Sequence, residues 1–219
     1  MLANQLITDH YPTVEPDDRI FTALQLMEDF DILHIAVVTG NKYLGLISKD
    51  DLLDADDGAA IKILSNNLLQ KSIKSNEHFL SALKLASQYA LSIVPVVNNE
   101  QEWVGAIPYV ELLKASAKFT GAEEPGAVIV LEMERKSYSF GEISRLVETN
   151  DAYITQFNTL FETETGLLVA TIKINKLEVS DILATFQRYE YNIRYFIGEE
   201  HYENELRYNY DNLMSYLKV

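Results

Sequence analysis

One stretch of the chain is written twice. Residues 20–38 read IFTALQLMEDFDILHIAVV, and residues 79–97 read FLSALKLASQYALSIVPVV. Ala23, Leu24 and Leu26 recur as Ala82, Leu83 and Leu85, and Val37-Val38 recur as Val96-Val97, each 59 residues on. One extra residue enters the polar loop that follows. Gly45 then recurs as Gly105 and Leu52-Leu53 as Leu112-Leu113, each 60 residues on. A register held this long, and shifted once within a loop, marks one structural unit present in two copies with a groove where they meet.

Both copies share a local grammar. Pro16-Asp17-Asp18 and Ser75-Asn76-Glu77 supply turn and N-cap chemistry ahead of a helix. Ile20, Ala23, Leu24 and Met27 follow at helical spacing and form one apolar face. A β-branched run comes next (34–38, 93–97), then a polar loop, a second apolar run (43–47, 103–107) and a short helix carrying the Leu-Leu pair. Near-continuous apolar strands of this kind are buried on both faces. Residues 55–71 join the copies, and Ile61, Leu64, Leu68 and Leu69 predict a helix there.

With these residues in view, roughly residues 1–118 resemble a pair of CBS domains, the Bateman module. The carriers are the SIVPVV run of the second copy and Gly45-Leu46-Ile47-Ser48-Lys49-Asp50-Asp51-Leu52, which resembles the family's Gly-x-x-(Ser/Thr)-x-x-Asp signature. The resemblance implies an adenosine nucleotide (AMP, ADP or ATP) in the cleft between the copies. Asp51 would accept from the ribose hydroxyls. Ser48 and the start of its helix would face phosphate, with Lys49 a phosphate contact and Thr13 and His34 further cleft residues. An ionised carboxylate suits a vicinal diol because it accepts only, while the diol offers two donors. Ser48-x-x-Asp51 also fits a capping box, which needs no ligand, and a core or solvated role for His34 stays open. The second copy departs from the signature, with Pro108 for the hydroxyl and Glu111 for the aspartate. Glu111 keeps a carboxylate on a longer stem, so one competent site, formed mainly by the first copy, is expected.

Gly121-Ala122-Glu123-Glu124-Pro125-Gly126 breaks the periodicity and reads as a linker (121–126) behind a first domain of 1–120, with copies at about 1–60 and 61–120. Beyond it, strands at 127–134, 152–162, 167–174 and 192–197 and helices at 139–149 and 178–189 give the order β-α-β-β-α-β, the ferredoxin-like plan. Residues 127–198 resemble an ACT domain in element order and apolar spacing. Ser137 and Tyr138 stand where that family's ligand loop usually carries Pro-Gly. A bulky ring there disfavours close backbone approach and argues for an interaction surface. Tyr202, Leu206, Leu213 and Leu217 predict a C-terminal helix within 199–219. The fold class is therefore α+β: a CBS-domain pair, a ferredoxin-like ACT-like domain and a terminal helix. The order of domains resembles bacterial acetoin-utilisation-type regulatory proteins.

Charge and composition narrow the function. The chain has 33 Asp and Glu against 18 Lys and Arg, a formal charge of −15. Such a surface repels phosphate backbones and anionic lipid, so neither nucleic acid nor membrane is an expected partner. No cysteine is present, and no apolar run approaches the ~20 residues that span a bilayer, so a cytoplasmic address is expected. His10, His34, His78 and His201 lie apart, no nucleophile or phosphate-loop motif occurs, and DDLLDADD (50–57) reads as a solvated helix end. These features predict no catalytic residues, no metal and no required cofactor. Two functions remain: a homodimeric nucleotide sensor that signals to an unknown protein partner, or a non-catalytic dimeric scaffold that binds no nucleotide.

Overall fold

A computed structural model of the protein describes residues 1–8, 11–199 and 214. The chain divides into two compact units, Met1–Lys118 and Phe119–Val219.

In the first unit each copy builds the same module. The first contains β1 (Thr13–Val14), α1 (Ile20–Asp29), β2 (His34–Thr39), β3 (Lys42–Ser48) and α2 (Lys49–Leu53). The second contains β4 (Ile73–Lys74), α3 (Phe79–Tyr89), β5 (Ile93–Val97), β6 (Trp103–Pro108) and α4 (Tyr109–Phe119). Each forms a three-stranded sheet, ordered β1-β2-β3 or β4-β5-β6. The ladders agree residue for residue: His34 pairs Ser48 and Val37 pairs Gly45, as Ile93 pairs Pro108 and Val96 pairs Gly105, with a bulge just past each glycine pair. Helix exits match too. Asp31 and Ala90 both take positive φ, and the next amides return to Met27 and Ala86.

The helices bury the stripes that the spacing predicts: Ile20, Ala23 and Met27 on α1, Phe79 and Ala82 on α3. Their entrances differ from expectation. Asp18 and Glu77 do not cap the helices but accept from the backbone N–H of Glu15 and Lys74, closing equivalent turns. The caps are Arg19, with no side-chain bond, and His78, whose Nδ1 accepts from the Leu80 N–H. The predicted helix over 55–71 is also corrected. Only Ile61–Asn67 is helical, as a 3-10 stretch kinked at Leu64, and Leu68 is extended. Leu69 instead pairs with Leu46 of β3 through two backbone hydrogen bonds of 2.8 and 3.0 Å.

That pairing has a twin, because Thr8 pairs with Ala106 of β6. The segment leading into each copy thus crosses to the other copy's strand. The repeated glycine exists for this crossing: a Cβ on Gly45 would lie 2.9 Å from Leu68 Cβ, and one on Gly105 would lie 2.5 Å from Ile7 Cγ2. Lys42 and Glu102 bridge where the copies meet, flanked by reciprocal bonds from Tyr43 N to Gln101 O (3.2 Å) and Trp103 N to Asn41 O (2.7 Å). The rings of Tyr43 and Trp103 stack with centroids 6.0 Å apart. Equivalent residues therefore meet each other, as a local two-fold axis requires.

In the second unit, β7 (Val128–Met133), α5 (Phe140–Glu148), β8 (Ile154–Glu162), β9 (Leu167–Ile174), α6 (Ser180–Arg188) and β10 (Asn192–Ile197) follow in the predicted order. The sheet runs β10-β7-β9-β8, antiparallel throughout. Ile129, Leu131 and Ile172 alternate toward Ile143, Leu146 and Phe186, so a period of two on strands meets helical stripes on α5 and α6. The segment 121–126 is not a free tether: Lys173 Nζ donates to the carbonyls of Gly121 and Glu124. Of the predicted C-terminal helix within 199–219, Glu199 and Met214 alone are among the described residues, and Glu199 bridges Glu178 instead of opening a helix.

Candidate functional site

Register assembles the first-copy residues. His34 and Ser48 are ladder partners at the end of the β2–β3 pair, so their side chains leave the same face. Thr13 pairs with Ala36, two residues along, and shares that face. The chain then turns directly into α2, which places Asp51 one turn beyond Ser48. Ser48 Oγ accepts from the Asp51 N–H at 3.1 Å, and its hydroxyl donates to Asp51 Oδ2. Asp51 Oδ1 accepts from Asn67 Nδ2 at 2.8 Å. Both carboxylate oxygens are thus engaged, and these bonds, from Ser48 first and then Asn67, hold the Asp51 carboxyl below the usual carboxylate range.

His34 faces the other copy. Its Nδ1 lies 3.2 Å from Ser92 Oγ and accepts from the Ser92 N–H at 3.3 Å, while the Leu33 N–H donates to Ser92 Oγ at 3.0 Å. Burial pushes the imidazole pKa down, against a smaller opposing effect of Asp50 and Asp51. The arrangement suits a neutral ring with Nδ1 unprotonated. In the unfolded chain the ring takes a proton near pH 6.5. Below that value the unfolded state binds protons more readily, so stability falls as pH drops from about 6.5 toward the lower folded value. Urea unfolding between pH 8 and pH 5 is expected to show this loss, and His34→Gln to flatten it. An unchanged profile in the variant would show that another group titrates. The Asp51 contribution is present above its ordinary unfolded range and is lost only at lower pH, as pH falls through the depressed folded value.

The other expected residues are placed less favourably. Lys49 opens α2, and its N–H donates to the Leu33 carbonyl; among the described residues its ammonium makes no ion pair. Helix α2 has five residues with Asp50 and Asp51 in its first turn, so its start offers little to an anion. Glu111 is not with Asp51. It ion-pairs with Lys114 at 2.7 Å and lines a separate cavity of about 490 Å³ with Leu6 and Lys118. Two polar residues near the site were not anticipated. Ser92 is a buried polar residue directly ahead of an apolar strand, which was a readable signal. Asn67 lies 16 residues beyond Asp51 in the connecting segment, and nothing in its local pattern marks it.

The CBS-domain family model matches residues 3–58. This segment is similar to a CBS domain. The unit that contains it has the fold of a CBS-domain pair, as shown by a CBS domain pair/ACT domain protein of Thermotoga maritima. That structure is 22% identical with a TM-score of 0.50, over 54% of this chain and 98% of that one. A structure from Vibrio cholerae named for acetoin utilization is 20% identical over 57% of this chain and 98% of its own, with a TM-score of 0.46. Among curated proteins, inosine-5'-monophosphate dehydrogenase of Korarchaeum cryptofilum is 25% identical over 127 residues, 54% of this chain. The alignment spans a quarter of that relative's length. The second CBS copy lies outside the family match, and its Pro108 and Glu111 are the departures from the signature.

Proposed function

We propose that this protein is a ligand-sensing regulator whose CBS pair binds an adenosine nucleotide, AMP, ADP or ATP, through Asp51. One observation carries the reading: an ionised carboxylate stands at the end of the β2–β3 pair and holds two hydrogen-bond donors at once, Ser48 and Asn67. A ribose diol presents the same two-donor pattern. Lys49 then supplies a cation for phosphate, and Thr13 and His34 the sheet face beside it. The second unit acts as an ACT-like pairing surface (127–198) in a homodimer, and the bound state is read by a protein partner without catalysis in this chain. No described helix is long and apolar enough to cross a membrane.

The second reading, a dimeric scaffold without a nucleotide, draws on the same bonds, since Ser48, Asp51 and Asn67 already satisfy one another. A thermal-shift series with adenosine, AMP, ATP and Mg-ATP separates the two. Ligand at 100 times its dissociation constant is expected to add about 2.7 kcal/mol of stability. Asp51→Ala removes that gain while the variant still folds. If no adenine compound raises the melting temperature, the sensor reading is wrong and the scaffold stands.

A further inference from the structure

Asn67 holds the acceptor that a ligand needs. The stretch it ends is strapped to the first copy on both sides. Ahead of it the N–H groups of Ile61 and Lys62 donate to the carbonyls of Asp18 and Pro16, and Lys62 Nζ pairs with Asp17 at 2.7 Å. Behind it Leu69 is locked to Leu46. Between these anchors Asn67 Nδ2 reaches Asp51 Oδ1. The second copy has no such contact, because Leu6 takes the equivalent place and Glu111 turns to Lys114 instead.

We infer that Asn67 is a built-in competitor for the diol-binding carboxylate, a residue that sets how strongly a ligand must bind before the first CBS site opens. This rests on the reading of Asp51 as the diol acceptor. The exposed amide holds Oδ1 and Ser48 holds Oδ2, so a diol that is to bridge the two oxygens competes with donors already in place. Ser48 also caps α2 and is tied to the fold, whereas Asn67 is held at the carboxylate by one side-chain bond and is the group that yields. Apparent affinity is then reduced by the fraction of molecules in which Asn67 occupies the carboxylate.

The test is calorimetry with adenosine, which carries the diol without phosphate, on the full chain. Asn67→Ala is expected to bind about three- to tenfold more tightly than the unmodified protein, the range given by the net strength of one hydrogen bond. Asn67→Asp sets a second carboxylate beside Asp51 and is expected to weaken binding. In spectra of the amide-labelled protein, the Asn67 side-chain signal shifts at saturation. If only Asn67→Ala binds, the inference holds in its strongest form. Should Asn67→Ala bind equally or more weakly, Asn67 is a bystander or a ligand contact and the inference fails, while the sensor reading survives. If neither form binds adenosine, AMP or ATP, both fail together.

Discussion

Gly105→Ala is expected to cost about 2–4 kcal/mol, by far more than an exposed strand glycine would. Two penalties combine. The backbone sits at φ +154, which side chains rarely adopt, and the new methyl would lie 2.5 Å from Ile7 Cγ2. Ile7 moves only if the crossing segment moves, and Thr8 is bonded to Ala106 directly beside the substitution. Gly45→Ala is the internal control. It meets Leu68 Cβ at 2.9 Å without an unusual φ, so about 1–2 kcal/mol is expected. Guanidinium unfolding measures both costs. Hydrogen exchange at the Thr8 amide is expected to accelerate in Gly105→Ala and hardly at all in Gly45→Ala. Equal costs, or a Gly105→Ala loss under about 1 kcal/mol, would mean that the crossing does not explain the glycine.

Phe186→Ala should be costlier still, about 3–5 kcal/mol from the second unit. The ring is 0% exposed and packs edge-on against Tyr191 at 5.6 Å, among the buried side chains of β7, β9 and α5. Truncation leaves a cavity that the four-stranded sheet cannot close by shifting. The Tyr191 ring also loses its support; its hydroxyl, pushed up to about 12 chiefly by burial, donates to Glu142 on α5 at 2.8 Å. Phe186→Leu keeps most of the volume and is expected to cost about 1.5 kcal/mol. Denaturation followed by circular dichroism and by exchange at Ile129 and Ile172 distinguishes the cases. A loss below about 2 kcal/mol would place Phe186 outside the centre of this core.

Much of the architecture is legible because packing imposes periods on the sequence. The repeat announces itself through Ala23, Leu24 and Val37, which face the core in both copies, and the observed ladders keep its one-residue loop shift. In the second unit every strand and helix lies within two residues of its predicted bounds. What stayed hidden is what distant pairing decides. Leu64, Leu68 and Leu69 are spaced for a helix, yet Leu69 hydrogen-bonds β3, and no local pattern carries that partner. Strands β1 and β4 have two residues each, too few for any period to show. At the site, Ser48 and Asp51 were readable as a cap or a ligand pair, and they do cap. Asn67, the third member, is supplied by the same connecting segment whose conformation the spacing misled.

The exchange of leading segments between the copies also dictates an order of assembly. As the chain leaves the ribosome, β3 must wait for Leu69 before its edge is covered. Thr8 waits far longer, until Ala106 has been made nearly a hundred residues later. Contacts of such sequence separation form late and slowly. Ala3 and Asn4 find Glu77 and Ser75 earlier, but Thr8 has its strand only once β6 has been made, so neither half completes its packing until almost the whole pair has emerged.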